Sequence, residues 1–230
     1  MPKQASLSQC LGYTHRFVIA ADKGKRRYRF DHFQDALKAA LKAALKAPDI
    51  KSRGFLSDPR GAVSADIGSG PGLCSWAVLD LCLKRGRPTP RFLAMDQAPN
   101  MIRLARELWQ RMETGASLWC SSDPDEFVRF GCRAVRDRPL IVSFGHVLKQ
   151  TLEDGADDNP AFTGFSRILV DLSRSARACL VVVADAHGSS EVRWEHQKSW
   201  EVLQRGVEAR SGRLVSLGKL PGSRQYGLVE

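Results

Sequence analysis

From residue 62 onward, short apolar runs alternate with longer stretches whose apolar positions recur at helical spacing. The short runs, at 62–67, 91–95, 117–120, 139–144 and 179–185, have the length and side-chain content of buried strands. Between them the helical pattern covers 73–84, 99–113, 124–131 and 160–176, and a further helix is predicted over 189–208. Strands separated by single helices predict an α/β architecture in which a mostly parallel sheet is covered on its faces. Two β-like runs, Arg213 to Leu217 and Gln225 to Val229, finish the pattern. The turn signal Pro221-Gly222-Ser223 between them predicts an antiparallel pair at the sheet edge.

Residues 1–60 read differently from residues 61–230, and we treat them as a basic helical extension ahead of the main domain. Phe33, Leu37, Leu41 and Leu45 recur every four residues with Lys38, Lys42 and Lys46 on the intervening face, which predicts an amphipathic helix with its leucine stripe packed on the domain. Alanine at most other positions favours the helix, and Pro48-Asp49 ends it.

Charge sharpens this division. The chain carries a net +10, and residues 1–60 hold thirteen Lys or Arg against five Asp. The densest piece is Lys23-Gly24-Lys25-Arg26-Arg27-Tyr28-Arg29. Such a cluster is either a solubilising surface or a phosphate-neutralising one, and the second reading makes RNA the expected partner. The six cysteines form no CxxC pair and no cluster with His at metal-ligand spacing, so no metal site is expected. No apolar run reaches the roughly 18 to 20 residues of a membrane span, and no secretory leader is evident. The expectation is a soluble, cytoplasmic protein with no membrane partner.

The candidate chemistry begins where the first strand ends. Asp66-Ile67 runs directly into Gly68-Ser69-Gly70-Pro71-Gly72, after which a helix begins. Glycines there allow a sharp turn and close approach of a ligand, and the amides at the helix start face a polar group. The second strand ends in Asp96, followed by Gln97 and a Pro99-led helix. A carboxylate at that place can accept both hydroxyls of an adenosine ribose. A glycine loop alone also suits a nicotinamide cofactor, but Leu73 occupies the position where the dinucleotide fingerprint needs its last glycine.

With these two segments the chain resembles the class I S-adenosylmethionine-dependent methyltransferases, whose D/E-x-G-x-G-x-G loop is matched by Asp66 through Gly72. The second strand's acidic end is matched by Asp96. The resemblance covers 62 to 185 and implies a Rossmann-like, seven-stranded sheet with an antiparallel C-terminal edge strand. It implies S-adenosyl-L-methionine as cofactor, with Asp66, Gly68, Gly70 and Gly72 beside its methionine part and Asp96 at its ribose, and with Ser69 and Gln97 among the cofactor-binding residues. Asp123, after the third strand, is implied at the adenine; read from the residues alone, Asp123-Pro124 is also a helix N-cap. The segments around Trp76-Ala77, Val142 to Leu148 and Leu180 to Gly188 are also similar to a ribosomal small-subunit methyltransferase-like family.

Ser143-Phe144-Gly145-His146, at the end of the fourth strand, faces the methyl group and its acceptor in this family. His146 is the candidate catalytic base, or else a helix cap; His187 is a second base candidate. Trp194 and Trp200 either stack on a base or pack on the sheet. No Asn/Asp-Pro-Pro-Tyr and no Pro-Cys occurs at the fourth strand, which counts against the exocyclic amino-methylating and 5-methylcytosine subclasses. The expected function is methyl transfer to RNA, ribosomal RNA included. The alternatives are a small-molecule or protein methyltransferase with the N-terminal helix as a lid, and a non-catalytic methyltransferase-like module. The sequence leaves oligomeric state open.

Overall fold

The computed structural model describes residue 6 and residues 28–46, 54–55, 61–112, 115–145, 147–148, 160–184, 190–220 and 224–230; at 28–32, 160–163 and 190–198 it describes the backbone. Helix α1 spans Tyr28–Ala44 and is followed by β1 (Val63–Ile67), α2 (Leu73–Lys84), β2 (Arg91–Met95), α3 (Pro99–Arg111) and β3 (Leu118–Ser121). Then come α4 (Pro124–Val135), β4 (Pro139–Gly145), α5 (Pro160–Ser175), β5 (Ala178–Ala184), α6 (Ser190–Glu208), β6 (Leu214–Leu220) and β7 (Arg224–Val229).

The seven strands form one sheet in the order β3-β2-β1-β4-β5-β7-β6. Every pairing from β3 to β5 is parallel, β7 runs antiparallel to β5, and β6 runs antiparallel to β7. The reversed strand therefore lies one place in from the edge, with β6 outside it. Strands β1 and β5 are buried along their whole length; β5 is accordingly apolar on both faces, whereas β1 carries the buried polar side chains of Ser64 and Asp66 on one of them. On one face, Ile67, Leu93, Val142 and Phe144 join side chains from α4, α5 and α6; Trp200 of α6 belongs to this core. On the other, Phe92, Ile141, Leu180 and Val182 meet α1, α2 and Trp109 of α3.

Helix α1 completes that second face, lying against α2, β5, β6 and β7. Its buried apolar positions are Phe33, Ala36, Leu37, Ala40, Leu41 and Ala44, a helical face with small residues at half the places, and Gln34 is buried beside them. Leu45, expected on the buried stripe, is instead 58% exposed. A strict four-residue repeat advances about 40° per step on a helix of 3.6 residues per turn, so by Leu45 the stripe has rotated off the contact face. Gln34 fixes the seat of α1: its side-chain amide donates to Asp80 Oδ2 at 2.6 Å and to the Ala77 carbonyl at 3.4 Å on α2.

Among the described residues no helix is long and apolar enough to cross a membrane, and no group of three or more His, Cys, Asp or Glu side chains is placed to hold a metal ion. The turn at 221–223 and the basic cluster at 23–27 lie outside the described residues.

Candidate functional site

The C-terminal ends of β1, β2 and β4 sit side by side at the point where the strand order reverses, the crevice in which open α/β sheets bind ligands. The glycine loop lies there. Gly68, Gly70 and Gly72 have φ of +67°, +53° and +88°, so the backbone needs the left-handed region at three alternate positions. The loop is tied to the end of β2: Ser69 N–H donates to the Met95 carbonyl at 2.9 Å, and Gly70 N–H donates to Asp96 Oδ2 at 2.8 Å.

Asp96 is 8% exposed, and its Oδ1 accepts from Ala98 N–H at 2.9 Å. Burial raises its pKa, opposed by these amide bonds. An ionised carboxylate has about four lone-pair sites, so each oxygen keeps acceptor capacity after its one amide. Gln97, beside it, is exposed.

Asp66 is buried at the end of β1. Its Oδ2 accepts from Ser75 N–H at 3.2 Å and from Ser75 Oγ at 3.4 Å, which ties the strand end to the first turn of α2. Oδ1 is buried with no hydrogen-bond partner among the described residues. Burial pushes this carboxyl up to about 7, against the lowering effect of donors on Ser75 and Cys74. Ser143 stands opposite Asp66 in the β1–β4 register, fully buried, and its Oγ is likewise without a partner among the described residues.

Phe144 points to the opposite face. Its ring is fully buried, 5.8 Å from that of Phe165. Asp123 is exposed and caps α4: its Oδ1 accepts from Asp125 N–H at 2.8 Å and Glu126 N–H at 3.1 Å, bonds that hold its pKa below the usual carboxylate value. Ser121, two residues earlier, donates from its hydroxyl to Glu126 and accepts from Asp123 N–H at 3.0 Å. His146 and His187 lie outside the described residues, as do the side chains of Trp194 and His196. Trp200 packs on the sheet, 3.1 Å from where a Cβ on Gly227 would stand.

Three contacts here have no local sequence signal strong enough to find them. Trp76 donates its indole N–H to the Pro71 carbonyl at 3.3 Å, and its ring lies 4.3 Å from that of Trp109. Gly145 leaves no room for a side chain, because a Cβ there would stand 2.5 Å from Cys74 Sγ. Val147, just past β4, fills the space at Gly68: a Cβ on Gly68 would lie 2.4 Å from Val147 Cγ2 and 2.7 Å from its Cβ. Gly68→Ala is therefore expected to cost about 2 to 4 kcal/mol, from backbone strain plus overpacking. In denaturant unfolding, Val147→Gly should recover the overpacking share in the double variant and not the strain share.

No protein-family model matches the chain, and no curated protein matches it in sequence. Solved structures do match it in fold. An S-adenosylmethionine-dependent methyltransferase from Clostridium acetobutylicum is 8% identical with a TM-score of 0.52, over 98% of this chain and 99% of that one. The plantazolicin methyltransferase BpumL, solved with S-adenosylhomocysteine, is 10% identical with a TM-score of 0.50, over 97% and 89%. The bifunctional kinase-methyltransferase WbdD is 15% identical with a TM-score of 0.52, and there the match takes in 98% of this chain but 46% of the larger protein. The chain has the fold of the class I S-adenosylmethionine-dependent methyltransferases.

Proposed function

We propose that this chain is an S-adenosylmethionine-dependent methyltransferase whose acceptor is RNA. The observation that carries the cofactor half is Asp96: a buried carboxylate bonded through one oxygen to the glycine loop and through the other to the start of α3, with acceptor capacity left on both. Asp96 would take the ribose hydroxyls, with Gln97 beside it. Gly68, Ser69, Gly70 and Gly72 would border the methionine part. The Oδ1 of Asp66, which has no partner among the described residues, fits the cofactor's cationic ammonium, directly or through water. Asp123 would reach the adenine only through Oδ2, since Oδ1 is committed to capping α4.

When bound, the cofactor supplies an electrophilic methyl group on a sulfonium. What the chain would contribute is position: the loop, Ser143 and the end of β4 would hold the reacting centre, and methyl transfer gains much from such alignment. His146 is the residue proposed to take the acceptor's proton, and Phe144 contributes by packing rather than by contact.

RNA is supported by charge, since residues 1–60 hold most of the net +10. The test is incubation with methyl-labelled cofactor and separate RNA, DNA, protein and metabolite fractions. Label in RNA is the expected result. Label confined to metabolites or protein overturns the RNA half, and absence of S-adenosylhomocysteine binding overturns the whole.

A further inference from the structure

We propose that the sheet edge opposite the glycine loop is an RNA-docking surface, built by arginines from the three loops that enter β4, β5 and β6. It rests on the reading of RNA as acceptor and adds a second place, remote from the cofactor, at which that RNA is held.

Strands β4, β5 and β6 run in the same direction, because β5 and β6 both pair antiparallel with β7. Their N-terminal ends therefore share one edge, away from the crevice. The loop before β4 brings Arg136 and Arg138, the end of α5 and the next loop bring Arg174 and Arg177, and the loop before β6 brings Arg210 and Arg213. The loops are joined to one another. Asp137 N–H donates to the Ser175 carbonyl at 3.0 Å, Arg177 N–H to the Arg138 carbonyl at 3.0 Å, and the Arg174 guanidinium to the Arg210 carbonyl at 2.7 Å. Arg213 and Glu230 exchange backbone bonds at 2.9 Å and approach as an ion pair at 3.8 Å. Asp137, Glu208 and Glu230 are the acidic side chains on these segments, so the row is positive.

Neighbouring strands lie about 4.8 Å apart, which spreads the three loops over about 15 Å. That is a row, not a pocket, and it suits an extended polyanion. All six basic residues are arginine, whose planar fork pairs phosphate bidentately with less ordering cost than lysine. Arg136, Arg174, Arg177 and Arg213 are exposed. A protein partner would require an apolar or aromatic centre in the patch, and an anionic membrane would require side chains to insert. The exposed large hydrophobics among the described residues, Leu45, Leu83 and Met112, all lie on other segments.

A seven-residue strand such as β4 spans about 23 Å, so an RNA engaging both this edge and the crevice must reach around the sheet. Short oligonucleotides would reach one edge and not the other.

The test is binding of a structured RNA of about 40 nucleotides, read by fluorescence anisotropy across a salt series, for the full chain and for Arg136→Ala/Arg177→Ala/Arg213→Ala. The three positions are exposed, and S-adenosylhomocysteine affinity and melting temperature serve as readouts of an intact fold. The expected result is at least about tenfold weaker RNA binding with a salt slope lower by about 2 to 3, from the loss of three phosphate contacts. Lysine at the same three positions should restore the slope and most of the affinity. Unchanged affinity and slope in the folded alanine variant overturn the proposal, as does a wild-type chain that binds anionic phosphatidylserine vesicles but no RNA. RNA binding that depends on these arginines in a chain that binds no S-adenosylhomocysteine sustains this surface while overturning the methyltransferase reading.

Discussion

Asp96→Ala is expected to weaken S-adenosylhomocysteine binding at least about 100-fold. A hydrogen bond to a charged group contributes about 1.5 to 3 kcal/mol, and the carboxylate is proposed to accept from two ribose hydroxyls, so about 3 to 6 kcal/mol is at stake. The variant also frees Gly70 N–H and Ala98 N–H, the amides that Asp96 now holds at 2.8 and 2.9 Å. Some of the loss will therefore come from a less ordered glycine loop. Asp96→Asn separates the two contributions, since its one carbonyl oxygen can keep a single amide bond. Calorimetric titration well below the melting temperature is the measurement; an affinity within about fivefold of wild type for Asp96→Ala would remove the ribose assignment, because even one lost charged bond exceeds that.

Asp66→Asn should change how stability varies with pH. In the folded chain burial pushes the Asp66 carboxyl up to about 7, above its ordinary 3.8. Between those values the folded state keeps a proton that the unfolded state has released. Stability from this group is therefore full below pH 4, falls as pH rises toward 7, and stays low above it. The shift corresponds to a loss on the order of 4 kcal/mol by pH 8. Asparagine cannot ionise, retains an acceptor for Ser75, and places an N–H where Asp66 has an oxygen with no partner among the described residues, on the strand paired in register with Ser143. Unfolding at pH 4, 5, 6 and 8 should show the variant near wild type at pH 4 and progressively more stable than wild type up to pH 8. A wild-type slope that persists in Asp66→Asn would assign the pH dependence to another group.

The parts legible in sequence were those set by local pattern. Strand and helix positions followed from apolar periodicity, and Asp66, Gly68, Gly70, Gly72 and Asp96 announced themselves by standing at strand ends beside a glycine loop. What stayed hidden depends on pieces distant in the chain. The Val147 contact on Gly68 and the register of Ser143 with Asp66 exist only once β1 and β4 are adjacent. Leu45 was placed on the buried stripe because a four-residue repeat imitates a helical face over two turns and drifts off it over three. Asp123 had two readings, and its geometry is that of an N-cap, a local bond needing no ligand. Charge behaved in the same way. The dense basic run at residues 23–29 is conspicuous in sequence, whereas the arginines from 136 to 213 are spread over three loops and become a row only through the strand order.

The placement of β7 bears on how the chain is made. Strand β6 precedes β7 in synthesis, yet it joins the sheet only through β7, its sole partner in the strand order. Until Arg224–Val229 has emerged and inserted beside β5, the β6 segment has no strand to pair with and β5 presents an open edge. Of the seven strands of this sheet, the one made after the other six is thus an interior one, and the interval before it docks is when a nascent chain of this topology is most exposed to pairing with another copy of itself.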